Sequence, residues 1–200
     1  MIYFTSDLHF GHNSILKYNQ KYRSGYKTTS DMDEDLIKIW NQTVNPDDIV
    51  FSLGDFSFKG LSFTLDKLKR LNGKHHMILG NHDQVIIKYK DKLLQETKYD
   101  GNALIESIKD YRELKIFDEK RNKEVEFVLF HYPIMHWNKD QYGSIHLYGH
   151  MHDISVELDG KALNVCFDSH GKLLSLDEVL DLVEHKKIAN SHHQKSKDQK

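Results

Sequence analysis

The sequence predicts an α/β fold with more than one sheet face, not a simple parallel sheet. Up to about residue 94, short β-branched and aromatic runs alternate with stretches of helical periodicity; beyond it strand-like runs dominate and one helix closes the chain. The third observation is placement: histidines, 14 in 200 residues, and carboxylates gather just past the ends of the expected strands.

The elements follow in order. Residues 2–6 are β-branched and aromatic, then polar, and read as a buried first strand. Ser30, with Asp31 and Asp33, opens a helix on which Met32, Leu36, Ile39 and Trp40 recur at helical spacing, and Pro46-Asp47 ends it. Residues 48–53 form the second strand. Leu61, Leu65, Leu68 and Leu71 share one face of a helix that Asn72-Gly73 stops. The third strand is 76–79, and Val85 to about Leu94 is helical. The runs 114–117 and 125–131, around a charged connection, read as a hairpin. Strands follow at 145–148 and 155–158, with Asp159-Gly160 as a type I′ turn into 162–167. Ser175 and Glu178 make the capping box of the last helix. From Lys187 the chain is polar, lysine-rich and aperiodic. One domain over 1–186 and a disordered tail over 187–200 are therefore expected, with no role for His192 or His193.

Composition excludes several classes. Twenty-eight basic against 30 acidic residues leave a net charge of −2, which predicts no nonspecific grip on nucleic acid or anionic membrane. Cys166 is the only cysteine, so an internal disulfide or a thiolate metal cluster is impossible. Apolar runs fall far short of the roughly 20 residues that span a bilayer. The N-terminal MIYFTSDLHF lacks the basic and apolar regions of a secretory signal. A soluble cytoplasmic protein is expected.

Asp7 and His9 follow the first strand, Asp55 the second in Leu53-Gly54-Asp55, and Asn81, His82 and Asp83 the third in Gly80-Asn81-His82-Asp83. His131 ends the longest strand, and His150 and His152 follow another in Gly149-His150-Met151-His152. Five strand ends thus deliver hard or borderline ligands to the rim where α/β proteins build sites. In extended backbone the i, i+2 pairs Asp7/His9 and His150/His152 each face one side. Gly54, Gly80 and Gly149 suit sharp turns beside a site. Carboxylate, imidazole and amide ligands without thiolate favour Mn²⁺, Fe, Zn²⁺ or Ni²⁺.

The set D-x-H, G-D, G-N-H-D, H and G-H-x-H, in that order, resembles the calcineurin-like metallophosphoesterases. Arg23, Met32-Asp33, Leu36-Ile37, Trp40-Asn41, Phe130-His131-Tyr132-Pro133 and Ser175-Leu176-Asp177-Glu178 resemble the small bacterial and phage members, over about residues 1–186. The resemblance implies two packed mixed β-sheets flanked by helices, with a two-metal site at the strand ends. Asp7, His9 and His152 then resemble the ligands of the first metal, and Asn81, His131 and His150 those of the second. Asp55 resembles the bridging carboxylate, and His82 the residue beside the leaving-group oxygen, oriented by Asp83. A carboxylate bridge between two cations about 3.5–4 Å apart offsets their repulsion, and an imidazole suits proton donation near neutral pH.

Other residues carry two readings. Asp83 also fits a helix N-cap before Val85. His12 is expected to line the pocket, with Asn13 lining it too or capping a short helix. Tyr18, Tyr22, Arg23, Tyr26 and Lys27 read as a substrate-covering loop with Arg23 on phosphate, or as a solvated loop. The segment His136, Trp137, Asn138 reads as an opposite wall or as core. His75, His76, His146, His170 and His185 read as structural or surface residues, and Cys166 as core.

The expected function is hydrolysis of a small phosphoester, favouring a phosphodiester or cyclic nucleotide, by attack of a hydroxide bridging two divalent metal ions, Mn²⁺ first. The alternatives are a nuclease and a non-catalytic scaffold of the same fold. No membrane partner is expected, and the charge balance disfavours a nucleic-acid polymer.

Overall fold

A computed structural model describes residues 1–18 and 20–190. The strands are β1 (Ile2–Thr5), β2 (Ile49–Leu53), β3 (Lys74–Ile78), β4 (Ser107–Lys109), β5 (Tyr111–Asp118), β6 (Lys123–Phe130), β7 (Ile145–Tyr148), β8 (Ala162–Asn164) and β9 (Leu174–Ser175). The helices are α1 (Ile15–Tyr18), α2 (Gln20–Arg23), α3 (Thr29–Thr43), α4 (Leu61–Arg70), α5 (Gln84–Lys88), α6 (Lys90–Leu93), α7 (Phe167–His170) and α8 (Leu176–Glu184). Two mixed sheets result, in the orders β4-β3-β2-β1-β9 and β5-β6-β7-β8. The first is parallel except for β9, and the second is parallel from β6 to β8.

Side-chain alternation divides the core into two layers. Tyr3, Val50, Met77 and Ile108 face Met32, Leu36, Trp40 and Leu68 of α3 and α4. Their neighbours Phe4, Phe51 and Ile78 point the other way, onto Phe127, Leu129 and Leu147 of the second sheet and Val179 and Val183 of α8. Phe4 stacks between the sheets, 5.5 Å from Phe51 and 5.7 Å from Phe127. A sheet buried on both faces explains why β1 and β2 read as short, largely apolar runs. The sheets meet again at one rim, where Ser6 and Cys166 form a parallel bridge and Phe167 N–H donates to Ser6 O at 3.0 Å.

Several expectations need correction. α3 opens at Thr29, because Thr28 and not Ser30 is the cap: its hydroxyl accepts from Asp31 N and the Asp31 carboxylate accepts from Thr28 N, each at 3.1 Å. The helix expected over 85–94 breaks at Tyr89 into α5 and α6. No strand forms at 155–158, and no I′ hairpin follows. β8 pairs parallel to β7, His146 opposite Ala162, so the intervening segment is a crossover and not a turn. Past Asn164 the backbone leaves the strand, and α7 replaces its expected end. The capping box of Ser175 and Glu178 forms as expected.

Packing continues past the expected boundary at 186: Ala189 is buried and Asn190 N–H donates to the Asp159 carboxylate at 3.3 Å. Residues 191–200, with His192 and His193, lie outside the described residues. No described helix is long and apolar enough to cross a membrane.

His75 is fully buried on the helix-covered face, 5.3 Å from Trp40 and 5.9 Å from Phe56, and neither ring nitrogen has a hydrogen-bond partner. Burial, and then the nearby Lys98 charge, pushes its pKa well below the ordinary value. Below about pH 6.5 the unfolded chain therefore takes up a proton that the folded chain refuses, and stability falls as pH falls. Thermal melts of chelated protein should show Tm dropping between about pH 7 and pH 5, with a shallower drop for His75→Leu. Parallel profiles for the two proteins would remove His75 as a source of acid sensitivity.

Candidate metal centre

The site grows out of the sheet ladder. Beyond β1 and β2 the parallel pairing continues through loop backbone: Asp7 N–H donates to Gly54 O at 3.0 Å, His9 to Asp55 O at 3.0 Å and Phe10 to Phe56 O at 2.9 Å. The pairs Asp7/His9 and His150/His152 are not extended, as the i, i+2 spacing suggested. Asp7 (φ 57°), His9 (55°), Asp55 (54°), His150 (66°) and His152 (50°) all adopt left-handed backbone. Each such residue costs on the order of 1–3 kcal/mol, and Asn, Asp and His bear it best.

Two groups of donor atoms converge. Those of Asp7, His9 and His152 lie within 4.8 Å of one another, as do those of Asp55, His131 and His150. The Asp55 Oδ2 atom stands between the groups, 3.8 Å from His9 Nε2 and 3.6 Å from His131 Nε2. Asn81 Oδ1 joins the second group, 3.0 Å from both His131 Nε2 and His150 Nδ1.

These residues fit a pair of cations. Asp7 Oδ2 accepts from the Ser6 hydroxyl, from Cys166 Sγ at 2.8 Å and from His150 N at 2.9 Å. Its other oxygen, Oδ1, is buried without a partner, and so is His9 Nε2, 3.6 Å away. A buried polar atom left unsatisfied costs about 1–3 kcal/mol. A cation shared by these two atoms removes both penalties. Burial would raise the Asp7 carboxyl, but its hydrogen bonds and the neighbouring imidazoles hold it well below the usual range, ready as a ligand.

Further residues aim the ligands. His131 Nδ1 donates to Leu53 O at 2.7 Å, and His152 Nδ1 lies 2.7 Å from Asp168 Oδ2, which leaves the Nε2 atom of each ring facing the site. Asp168 escaped sequence reasoning, although an acid one residue past the expected strand 162–167 obeys the same strand-end rule. Its other oxygen takes Arg23 Nε at 2.5 Å. The Arg23 guanidinium also donates to Asp7 O at 2.8 Å and Leu8 O at 3.1 Å. Arg23 is fully buried, so it clamps the ligand loop and does not cover substrate: a desolvated guanidinium takes the partners that neutralise it.

Asp83 stands at the N-cap position of α5, as the alternative reading had it, but its side chain neither makes a capping bond there nor orients His82. Its carboxylate accepts from Gly80 N at 2.8 Å and from Asp55 N and Phe56 N at 2.9 Å, which staples the loops after β2 and β3 together. Burial pushes its carboxyl up to about 6 against those three donors. The His82 ring is exposed at the mouth, 6.3 Å from His9 and 4.5 Å from Phe58, while its backbone N–H donates to Asp55 Oδ1 at 2.9 Å. His12 reaches the rim: its Nδ1 lies 3.0 Å from His9 Nδ1, and its ring stacks on Phe58 at 3.9 Å and 4°. Phe58 is a rim residue that the sequence did not single out, and Tyr132, whose ring lies 4.7 Å from His150, stood there only as part of the Phe130-His131-Tyr132-Pro133 resemblance and not as a site residue.

Asn13 is exposed and accepts from the Thr29 hydroxyl at 2.9 Å. The 136–138 segment builds no wall here, since Trp137 packs in the core with Val128, Tyr148 and Ala162. Two glycines are set by close approach: a Cβ at Gly149 would stand 1.9 Å from Ser6 Oγ, and one at Gly80 2.2 Å from Asp55 Oδ1. A cavity of about 550 Å³ lies at the starts of β6 and β7 against α8 and contains none of these ligands.

Residues 1–154 match the family described as calcineurin-like phosphoesterase. The chain is 28% identical over 200 residues to the gene 66 protein of Mycobacterium phage L5, covering 92% of this chain and 94% of that one. It is 29% identical over 199 residues to the gene 66 protein of Mycobacterium phage D29, covering 91% and 95%. A crystal structure of a protein of unknown function from Aquifex aeolicus superposes with a TM-score of 0.62 at 20% identity, over 92% of this chain and 99% of that one, a likeness of fold.

Asp168→Asn should weaken Mn²⁺ binding about 10–100-fold in titration calorimetry, the range for the partners of metal-bound histidines. Unchanged affinity would reduce Asp168 to an anchor for Arg23.

Proposed function

Because the chain belongs to the calcineurin-like phosphoesterase family, whose members work with a dinuclear divalent metal centre, we propose that this metal-dependent phosphoric ester hydrolase cleaves a small phosphodiester such as a nucleotide or cyclic nucleotide. Asp7, His9 and His152 would hold one ion and Asn81, His131 and His150 the other, with the Asp55 carboxylate placed to serve both. The position of Asp55 Oδ2, within 3.8 Å of His9 Nε2 and 3.6 Å of His131 Nε2, is the observation that carries the assignment. The nitrogen and oxygen donor set suits Mn²⁺.

A bound pair of divalent ions supplies an activated water nucleophile and neutralises charge on the phosphoryl oxygens. The chain does the rest. The carboxylates and imidazoles hold the reacting centre against the strand ends. His82, exposed beside the two groups, donates a proton to the departing ester oxygen. The Asp83 staple and the bond from His82 N to Asp55 fix the loop that presents this ring. His12 lines the same rim over Phe58.

A small substrate follows from charge. Arg23 is consumed inside the fold, so the one arginine of the 18–27 segment is not offered to a phosphate. A polymer-binding surface neutralises several phosphates at once. Every ligand position is kept, which argues against a scaffold. The single thiol of Cys166, buried and bonded to Asp7, suits a cytoplasmic protein.

Elemental analysis of dialysed, active protein should give about two metal ions per chain, with activity lost on chelation and restored by Mn²⁺. Asp55→Asn should weaken both sites together. His82→Ala should keep the metals but lower kcat by about 10²–10⁴, and less for nitrophenyl esters, whose leaving group needs no proton. Equal losses across leaving groups would exclude the acid role. Faster cleavage of DNA or RNA than of a small diester, with a steep salt dependence, would replace this reading with a nuclease.

A further inference from the structure

We infer that Tyr132, with Phe130 beside it, is the seat on which the planar base of a nucleoside phosphoester stacks while its phosphate lies at the metal centre. The inference rests on reading that centre as a phosphodiesterase. Tyr132 follows His131 directly, and its ring lies 5.0 Å from His131 and 4.7 Å from His150, edge-on at 75° and 61°. It therefore borders the second metal group. It is nevertheless 37% exposed, a large aromatic left open to solvent at the ligand rim. Phe130 lies 5.6 Å away, also tilted, at 58°. Among the described residues no ring lies parallel to Tyr132; its three ring neighbours are tilted or edge-on to it.

The opposite rim is built differently. Phe58 is already stacked on His12 at 3.9 Å and on His9 at 4.6 Å, so it serves those imidazoles. With His82 on that side, the departing group leaves there and the retained group lies toward Tyr132. The chemistry offered to the retained group is an aromatic face with no guanidinium, because Arg23 is buried. A sugar needs hydrogen-bonding side chains and an acyl chain an enclosed groove. A flat base needs a π-face.

The seat takes one base and not a strand. The aromatic surface continues from Phe130 to Tyr111 at 6.3 Å, but the Tyr111 hydroxyl donates to Glu113 at 2.8 Å. An acidic group bound to the far end of that surface does not favour the further phosphates of a strand.

Calorimetric titration of the Mn²⁺-loaded full chain with thymidine 5′-monophosphate and with 2-deoxyribose 5-phosphate tests this without requiring turnover. The nucleotide should bind about tenfold more tightly, within the range that base–aromatic stacking supplies. Tyr132→Phe should keep that ratio, and Tyr132→Leu, with its metal content measured, should bring it near one. Equal affinities in the unmodified protein would overturn the stacking seat and leave the phosphoesterase reading standing. A ratio that survives Tyr132→Leu would also overturn it. Tighter binding of a ten-residue oligothymidylate, with a steep loss in salt, would overturn the single-base seat. The phosphodiesterase reading fails separately, if the loaded protein does not hydrolyse thymidine 5′-(4-nitrophenyl) phosphate.

Discussion

The two oxygens of the Asp7 carboxylate have different duties, and the rest of the rim depends on that division. Oδ2 gathers donors from three segments: the Ser6 hydroxyl at the end of β1, the Cys166 thiol past β8 and the His150 backbone past β7. Those segments belong to both sheets, so one buried anion ties the sheets together where the ligands emerge. Charge-assisted hydrogen bonds are among the stronger polar contacts a fold has. Saturating one oxygen leaves Oδ1 alone with His9 Nε2, so the fold's own bonding sets aside a pair of donor atoms that suits a cation.

The same economy runs through the neighbouring loops. Asp168 holds His152 on one oxygen and Arg23 on both, and Arg23 in turn holds the carbonyls of Asp7 and Leu8. Asp83 spends its carboxylate on three backbone N–H groups of two loops. Three buried acids thereby carry most of the order in a region with little regular secondary structure. Each is neutralised by donors from a distant part of the chain, which makes the geometry a property of the closed fold.

That division also explains what the sequence discloses. Strand ends were legible because β1, β2, β3 and β7 each end on apolar or aromatic residues followed by polar ones, and polar ligands at such ends form a pattern visible in one dimension. Asp168 and Arg23 were not, because their meaning lies in a pairing 145 residues apart, and a lone arginine near aromatics looks the same on a loop as in a core. The expected strand at 155–158 failed for a related reason. Alternation and an Asp-Gly turn describe a hairpin locally, but the parallel pairing of β8 with β7 was decided by burial of Leu147 and Ala162 elsewhere. β4 and β9, at three and two residues, are too short to show any period. Neither Phe58 nor Tyr132 read as a site residue, because aromatic residues are ordinary in such runs and only their ring contacts with the imidazoles set them apart.

The left-handed backbone at Asp7, His9, Asp55, His150 and His152 narrows what these positions can become. Each must pass two filters at once: a side chain that binds a hard or borderline cation, and a main chain that tolerates positive φ. Asp, Asn and His pass both. Glu and Gln carry suitable donors but are not favoured in that conformation, and Gly accepts the conformation but offers no donor. A drifting sequence therefore meets a barrier here even where another ligand would serve the metal equally well. The short alphabet of the motif is then as much a record of backbone geometry as of coordination chemistry. Loss of metal binding need not relax it, because the turns would still have to be made.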